Sequence, residues 1–304
     1  MRRPPQLNPI GLPLLILLLL LQGVATADPV DLLGEPLVRA SAKSLGMPVK
    51  QDYTAAEITA ALTRLSKANV AKIAAEVGVL GPEEKALRDK MATLAFPVVH
   101  RTKLKRLTDL FEHRRLNTVG DNKNKVLPTF MQAEHQLFGA WGGVFATVGY
   151  PSGDIRYGDV ALVLDEAKLP AGTWASRWNG AWFLSRHRGV DLTKPYAYVA
   201  EHARGYADTI VVKAHWKEYY ALLVLQYLRQ RSERERLDLL QQLLAAKGVD
   251  QFWNLIMHNN LGRLEAKIPG SVPQEWIRQV IVRKVNEAEV RELAKHAPMP
   301  FIYH

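Results

Sequence analysis

Gly262-Arg-Leu-Glu-Ala-Lys-Ile-Pro-Gly-Ser-Val-Pro-Gln-Glu-Trp-Ile-Arg-Gln-Val-Ile-Val-Arg283 is the stretch around which the chain is organised. Leu264, Ala266 and Ile268 alternate with Arg263, Glu265 and Lys267, the period-two pattern of a half-buried strand. Pro269-Gly270 and Pro273 punctuate it as turn residues. A single turn with Trp276 and Ile277 follows, then a second strand, Val280-Ile281-Val282. One carboxylate, Glu265, thus stands mid-strand with the chain turning back beside it. Taken alone, it reads as an exposed polar position on an ordinary strand.

The 304 residues are 48% hydrophobic and 23% charged, an ordinary globular balance. That length holds one large domain, or one domain with a small appendage. Residues 1–27 read as an export signal: Arg2 and Arg3 lead, Leu12–Leu21 is Leu-rich, and Ala25-Thr26-Ala27 offers small residues before Asp28. The apolar run is short for a membrane span, and no later segment reaches 18 apolar residues. The expectation is a mature chain without a transmembrane segment, secreted or periplasmic. With no cysteine there is neither a disulfide nor a lipoprotein anchor, which suits a bacterial periplasm or medium. The net charge is +10, and +8 without Arg2 and Arg3. A basic surface attracts nucleic acid, anionic lipid or a small phosphorylated ligand. The run 229–236 interleaves Glu233 and Glu235 with its arginines and reads as a solvated helix face.

Residues 28–95 read as a helical N-terminal region with candidates at Leu32–Leu45, from Thr54, and after Gly81-Pro82. Thr54 and Glu57 supply a capping box, while Glu83 and Glu84 suit a first turn. Val98-Val99 is a short strand ending at His100, and Thr102 is a candidate cap for the helix carrying Leu104, Leu107, Leu110 and Phe111. A histidine at a strand end stands where ligands approach α/β elements; a hydrogen-bonded structural histidine is the alternative. Val144–Thr147 and Val160–Leu164 are further strands, the latter apolar enough to be buried on both faces. Gly172–Phe183 carries Trp174, Trp178, Trp182 and Phe183, either a pocket wall or core packing. Residues 196–260 look mostly helical, with amphipathic runs at His215–Leu228, Glu233–Ala246 and Asp250–His258. After the Glu265 strands, residues 286–304 form a short helix and a tail.

There is no His-Glu-x-x-His, no Gly-x-Ser-x-Gly and no phosphate-binding Gly-Lys-Ser/Thr loop. The nine histidines show no metal-ligand spacing. The remaining candidates are a strand-end histidine, a strand-borne glutamate 165 positions later, and an aromatic region between them.

Together these stretches resemble the ADP-ribosyltransferase-like fold of bacterial toxins and effectors over about residues 96–284, which sets a domain of that type at 96–285. His100-Arg101-Thr102 and Leu107–Leu116 are similar to that family's first strand and helix, with Arg114 where a glycine is frequent. Val144–Thr147, Tyr157–Leu164 and Leu264–Val282 resemble its later strands. The resemblance implies an α+β fold with a split β-sheet core and surrounding helices. It also implies NAD as substrate, with Glu265 stabilising the cation formed as nicotinamide leaves. His100, Arg101, Thr102, Tyr157, Trp174 and Ser176 would bind NAD: His100 at a ribose, charge near Arg101 at the pyrophosphate, aromatics on the nicotinamide. Arg263 stands where many protein-arginine modifiers carry Gln or Glu. Thr173, Ser176, Tyr150 and Tyr157 all remain candidates for the family's middle Ser/Tyr motif.

The expected function is a secreted NAD-dependent ADP-ribosyltransferase acting on a protein or nucleic-acid acceptor. The alternatives are an exported binding protein with an inactive fold of that type, and a basic protein that binds anionic polymers. Because Ala25-Thr26-Ala27 alone follows the apolar run with small residues, N-terminal sequencing of exported material should start at Asp28. Exported chains that still begin at Met1 would exclude cleavage.

Overall fold

The computed structural model describes residues 55–118, 143–177, 189, 191 and 208–304. The export signal, Leu32–Leu45, Thr54, Trp178, Trp182 and Phe183 lie outside the described residues. The chain opens with helices α1 (Ala55–Val77) and α2 (Pro82–Thr93), the latter with Pro82 in its first turn and Leu87 and Met91 buried. Strand β1 (Val98–Thr102) leads through a 3-10 turn into α3 (Leu107–His113). Thr102 does not cap that helix: it is the last residue of β1, paired with Val160, and Lys103 stands at the N-cap of the turn with no side-chain bond. Arg114 ends α3 at φ 52°, ψ 29°. That left-handed conformation favours glycine, so Arg114 holds strained backbone there.

The strands β2 (Arg115–Leu116), β3 (Gly143–Val148), β4 (Val160–Leu164), β5 (Trp174–Ser176) and β6 (Ile210–Val212) follow. Next come α4 (Trp216–Arg229), α5 (Glu233–Ala245) and α6 (Val249–His258). The chain ends through β7 (Leu264–Pro269), β8 (Val272–Pro273), β9 (Ile277–Val282), α7 (Glu287–His296) and β10 (Phe301–Tyr303). The segment 196–260, read as mostly helical, thus contains β6. The C-terminal tail contains β10, which pairs in parallel with β9. Three-residue strands carry no periodicity of their own, so only a partner strand identifies them.

Eight strands join in the order β10-β9-β4-β1-β3-β7-β5-β6, while β2 and β8 form a separate pair. The fold is α+β, and all five strands expected from the sequence are in the one sheet. Its two four-stranded halves meet through only two residue pairs, Val98↔Val148 and Val99↔Thr147. Beyond that seam β1 stays with β4 for its whole length and β3 stays with β7. Backbone groups freed where a ladder stops need other partners. Here Thr147 Oγ1 donates to Val99 O at 3.2 Å, and His100 Nδ1–H donates to Phe145 O at 2.6 Å. Side chains close the seam.

One core runs through helices and sheet. It includes Val70, Ile73, Leu87 and Met91 of the N-terminal helices together with Val98, Ala146, Leu162, Leu264, Ala266 and Val280 of the sheet. α1 is anchored to the edge strand β6 by Asn69 Nδ2, which donates to Ile210 O at 2.8 Å. Between α4, α6 and the sheet lies an aromatic cluster: Phe96 meets Trp253 edge-on at 4.7 Å, and Tyr220 stacks on Trp253 at 5.6 Å. The Tyr220 hydroxyl donates to Gly262 O at 2.6 Å, just ahead of β7.

Gly149, directly after β3, adopts φ 81°, and a Cβ there would stand 2.1 Å from the Tyr220 ring. That ring is fully buried and stacked, so it cannot yield. Gly149→Ala should therefore lower stability by about 2–5 kcal/mol, combining left-handed backbone strain with overpacking. Urea unfolding reads this, and an unchanged midpoint would mean that Tyr220 does not pack there.

Candidate active site

Residues opposite one another on neighbouring strands share a face of the sheet. Thr147, Glu265 and Ser176 form one such row across β3, β7 and β5, and Phe145, Lys267 and Trp174 form the next. The strand read as half-exposed is in fact closed on both sides. Leu264, Ala266 and Ile268 are buried in the apolar core, and on the other face the Glu265 and Lys267 side chains keep only 14% and 3% of their accessibility. Glu265 is not a surface carboxylate.

Lys267 Nζ lies 2.7 Å from Glu265 Oε1 and donates to Ser176 Oγ at 3.1 Å. The same ammonium stands 5.0 Å from the centre of the Trp174 ring and 5.5 Å from that of Phe145, within the range of cation–π attraction. The arrangement is a partly buried carboxylate held by a buried ammonium, with a serine hydroxyl and two aromatic rings around the ammonium. Of the four middle-motif candidates, only Ser176 lies in the Glu265 row. Thr173 precedes β5, while Tyr150 donates to Met257 O at 3.2 Å.

His100 stands at the seam. It lies opposite Leu162, on the side of the apolar core, whereas its neighbour Val99 is in register with Thr147 and so with Glu265. Two strand spacings, about 10 Å, separate β1 from β7. Burial pushes the His100 imidazole below its ordinary 6.5, against the opposing effect of the Phe145 bond. It is therefore neutral near pH 7, with its proton on Nδ1 and a lone pair on Nε2. Its contact with Phe145 O joins it to the strand that carries the site, not to Glu265 itself.

Arg101, Thr102 and Tyr157 belong to an adjoining turn. Arg101 Nε donates to Ser152 O at 2.6 Å and its Nη1 to Gly158 O at 3.0 Å. That guanidinium braces a turn rather than facing an open pyrophosphate position. Gly158 sits so close to β1 that a Cβ would fall 2.0 Å from Thr102 O. Tyr157 is 47% exposed, with the Arg156 guanidinium 5.9 Å from its ring centre.

The same turn holds residues the sequence did not single out. Asp154 keeps 7% of its accessibility and binds two arginines: Arg156 Nε at 2.9 Å and Arg263 Nη1 at 2.9 Å. Arg156 is raised above its ordinary 12.5, first by its Asp154 hydrogen bonds and, less strongly, by the charge of Glu265. Arg156 thus stands within electrostatic reach of the carboxylate, and Arg263 is committed to Asp154. Lys267 had a visible signal, since it stands two positions after Glu265 on the same strand. Asp154 and Arg156 had none, because their loop meets β7 only in three dimensions.

Among the described residues, no cluster of His, Asp and Glu could hold a metal ion, and no helix is long and apolar enough to cross a membrane. No protein-family model matches the chain, and no curated protein sequence matches it.

Burial pushes the Asp154 carboxyl up, but its bonds to Arg156 and the charge of Arg263 outweigh that and leave it below its ordinary 3.8. A depressed folded value contributes stability that is present above the unfolded value and lost as pH falls through the folded one. Asp154→Asn should therefore be less stable than wild type at neutral pH, with the gap narrowing below about pH 4. Urea midpoints across that range test it. A gap constant down to pH 2 would show that the charge of Asp154 does not matter.

Proposed function

We propose that the chain is an NAD-consuming ADP-ribosyltransferase or NAD glycohydrolase with Glu265 as its catalytic carboxylate. The observation that carries this reading is the buried Glu265–Lys267–Ser176 group between Phe145 and Trp174. Replacing a buried ion pair by apolar residues of similar volume is often neutral, or stabilising by about 1–4 kcal/mol. Folding stability is thus no sufficient reason for two charges on a doubly buried strand. A site for a cationic transition state is one. The residues fit the substrate: a fixed carboxylate, a hydroxyl, and two aromatic rings for a planar nicotinamide.

In this reading the bond between the ribose C1′ and the nicotinamide nitrogen breaks, and nicotinamide departs with the electron pair. Glu265 stabilises the positive charge left on the ribose, and an acceptor nucleophile or water adds at C1′. A preorganised charge aimed at developing charge is the strongest single device available here. Ser176 and Trp174 border the nicotinamide end. His100, on the other face of the sheet, enters this reading through its bond to Phe145 O rather than beside Glu265. Beyond Lys267, Arg156 rather than Arg101 supplies positive charge within electrostatic reach of the carboxylate. The acceptor is a protein or nucleic acid of unassigned identity, and export through residues 1–27 would place the activity outside the cytoplasm.

One contact favours a second reading, a binding protein with this fold and no NAD chemistry. The 2.7 Å bond from Lys267 partly neutralises Glu265. The two readings differ in a direct measurement. Purified protein should consume NAD, and Glu265→Gln, which keeps shape and removes charge, should lower turnover of the folded protein about 100- to 1,000-fold, with a lower urea midpoint because Lys267 loses its counter-charge. No NAD consumption by the wild type supports the binding protein; an equally active Glu265→Gln variant removes Glu265 from the chemistry.

A further inference from the structure

We propose that Lys267 is the positioning residue of Glu265, holding the carboxylate fixed in the orientation in which it acts. The proposal rests on the NAD reading for its catalytic consequence, and on geometry alone for the coupling itself. Lys267 and Glu265 are two positions apart on β7, so their side chains leave the same face of the strand. The Lys267 stem is confined between residues directly opposite it on both neighbouring strands, Phe145 on β3 and Trp174 on β5. Its head is fixed by Ser176 Oγ at 3.1 Å and Glu265 Oε1 at 2.7 Å. An ammonium with both stem and head restrained is a rigid donor, and a carboxylate bonded to it inherits that rigidity.

Among the described residues, the neighbouring groups differ from Lys267 in charge or in exposure. On β3 and β5 the facing residues are Thr147 and Ser176, which carry no charge. From the turn, Arg156 reaches Glu265 electrostatically, but its shortest bonds go to Asp154, and its side chain is 64% exposed. Arg263, on β7 itself, is bonded to Asp154. Lys267 is a buried cation in direct contact with the carboxylate. Without that donor the carboxylate loses a bond that fixes its orientation.

The test uses Lys267→Met, which removes charge and donor, Lys267→Gln, which removes charge but keeps a donor, and Lys267→Arg, which keeps both. Crystal structures of wild type and variants read the Glu265 side chain directly. Its carboxylate should leave the wild-type position or spread over several rotamers in the Gln and Met variants and keep its place in the Arg variant. If Lys267→Met does not fold, Lys267→Gln decides. An unmoved carboxylate overturns the proposal whether or not the protein consumes NAD. In the NAD assay, kcat should fall about 100-fold in Lys267→Met, the cost of a misplaced reacting group, with KM little changed. Lys267→Arg should recover most of the activity. A displaced carboxylate with kcat unchanged overturns the positioning role. A displaced carboxylate in a protein that never consumes NAD removes the proposed activity but leaves the coupling in place.

Discussion

Tyr220 is the residue on which the arrangement of the site depends. Its ring lies beneath Gly149, where β3 ends, and its hydroxyl binds Gly262 O, where the chain enters β7. One helix side chain thereby sets the exit of one strand against the entry of the next. The ladder from Gly143↔Pro269 to Val148↔Leu264 follows from that alignment. A strand displaced by one residue would turn every side chain to the opposite face, and Glu265 and Lys267 would enter the apolar core. The bond to Gly262 O also keeps the Tyr220 hydroxyl satisfied in a fully buried position, where an unpaired hydroxyl would cost about 1–3 kcal/mol.

The seam between the two half-sheets is the second organising constraint. Two backbone pairs hold β1 to β3, and the Val99 and Phe145 carbonyls at this seam are met by the side chains of Thr147 and His100. His100 therefore has a structural task, independent of any ligand: it supplies the donor that a continuing ladder would have supplied. The local chemistry of that task also leaves the imidazole neutral, with one nitrogen uncommitted to Phe145. A residue in that state can both hold a fold together and accept a hydrogen bond from a hydroxyl. The two roles are compatible.

The charged groups near β7 divide into two sets by burial. Lys267 and Glu265 form a closed pair under aromatic cover, while Asp154 gathers Arg156 and Arg263 at the edge of the same face. Arg101 joins the second set through the turn that it clasps at Ser152 O and Gly158 O. Its guanidinium is drawn down from its ordinary value, first by burial and then by Arg283. An arginine is still charged under these conditions. What burial decides is its direction: Arg101 faces carbonyls, and Arg156 is left to face the region of Glu265.

Much of the fold was legible in the linear pattern. The alternation Leu264, Ala266, Ile268, the apolar run Val160–Leu164 and the helical periods of α2 and α4 to α7 are local, because each element repeats its burial at its own period. Glu265 was likewise legible as a strand-borne carboxylate. Its burial was not, since the alternation that marks one face as apolar says nothing about what covers the other. Phe145 and Trp174 close that face, and they come from strands about 120 and 90 positions away. β5, β6 and β10 were hidden because a strand of three residues is defined by its partner rather than by its own sequence. The sequence by itself determined which residues carry charge and at what local period. Only the tertiary structure decided that Lys267 would hold Glu265, because Phe145 and Trp174, opposite Lys267 on β3 and β5, confine its side chain beside the carboxylate.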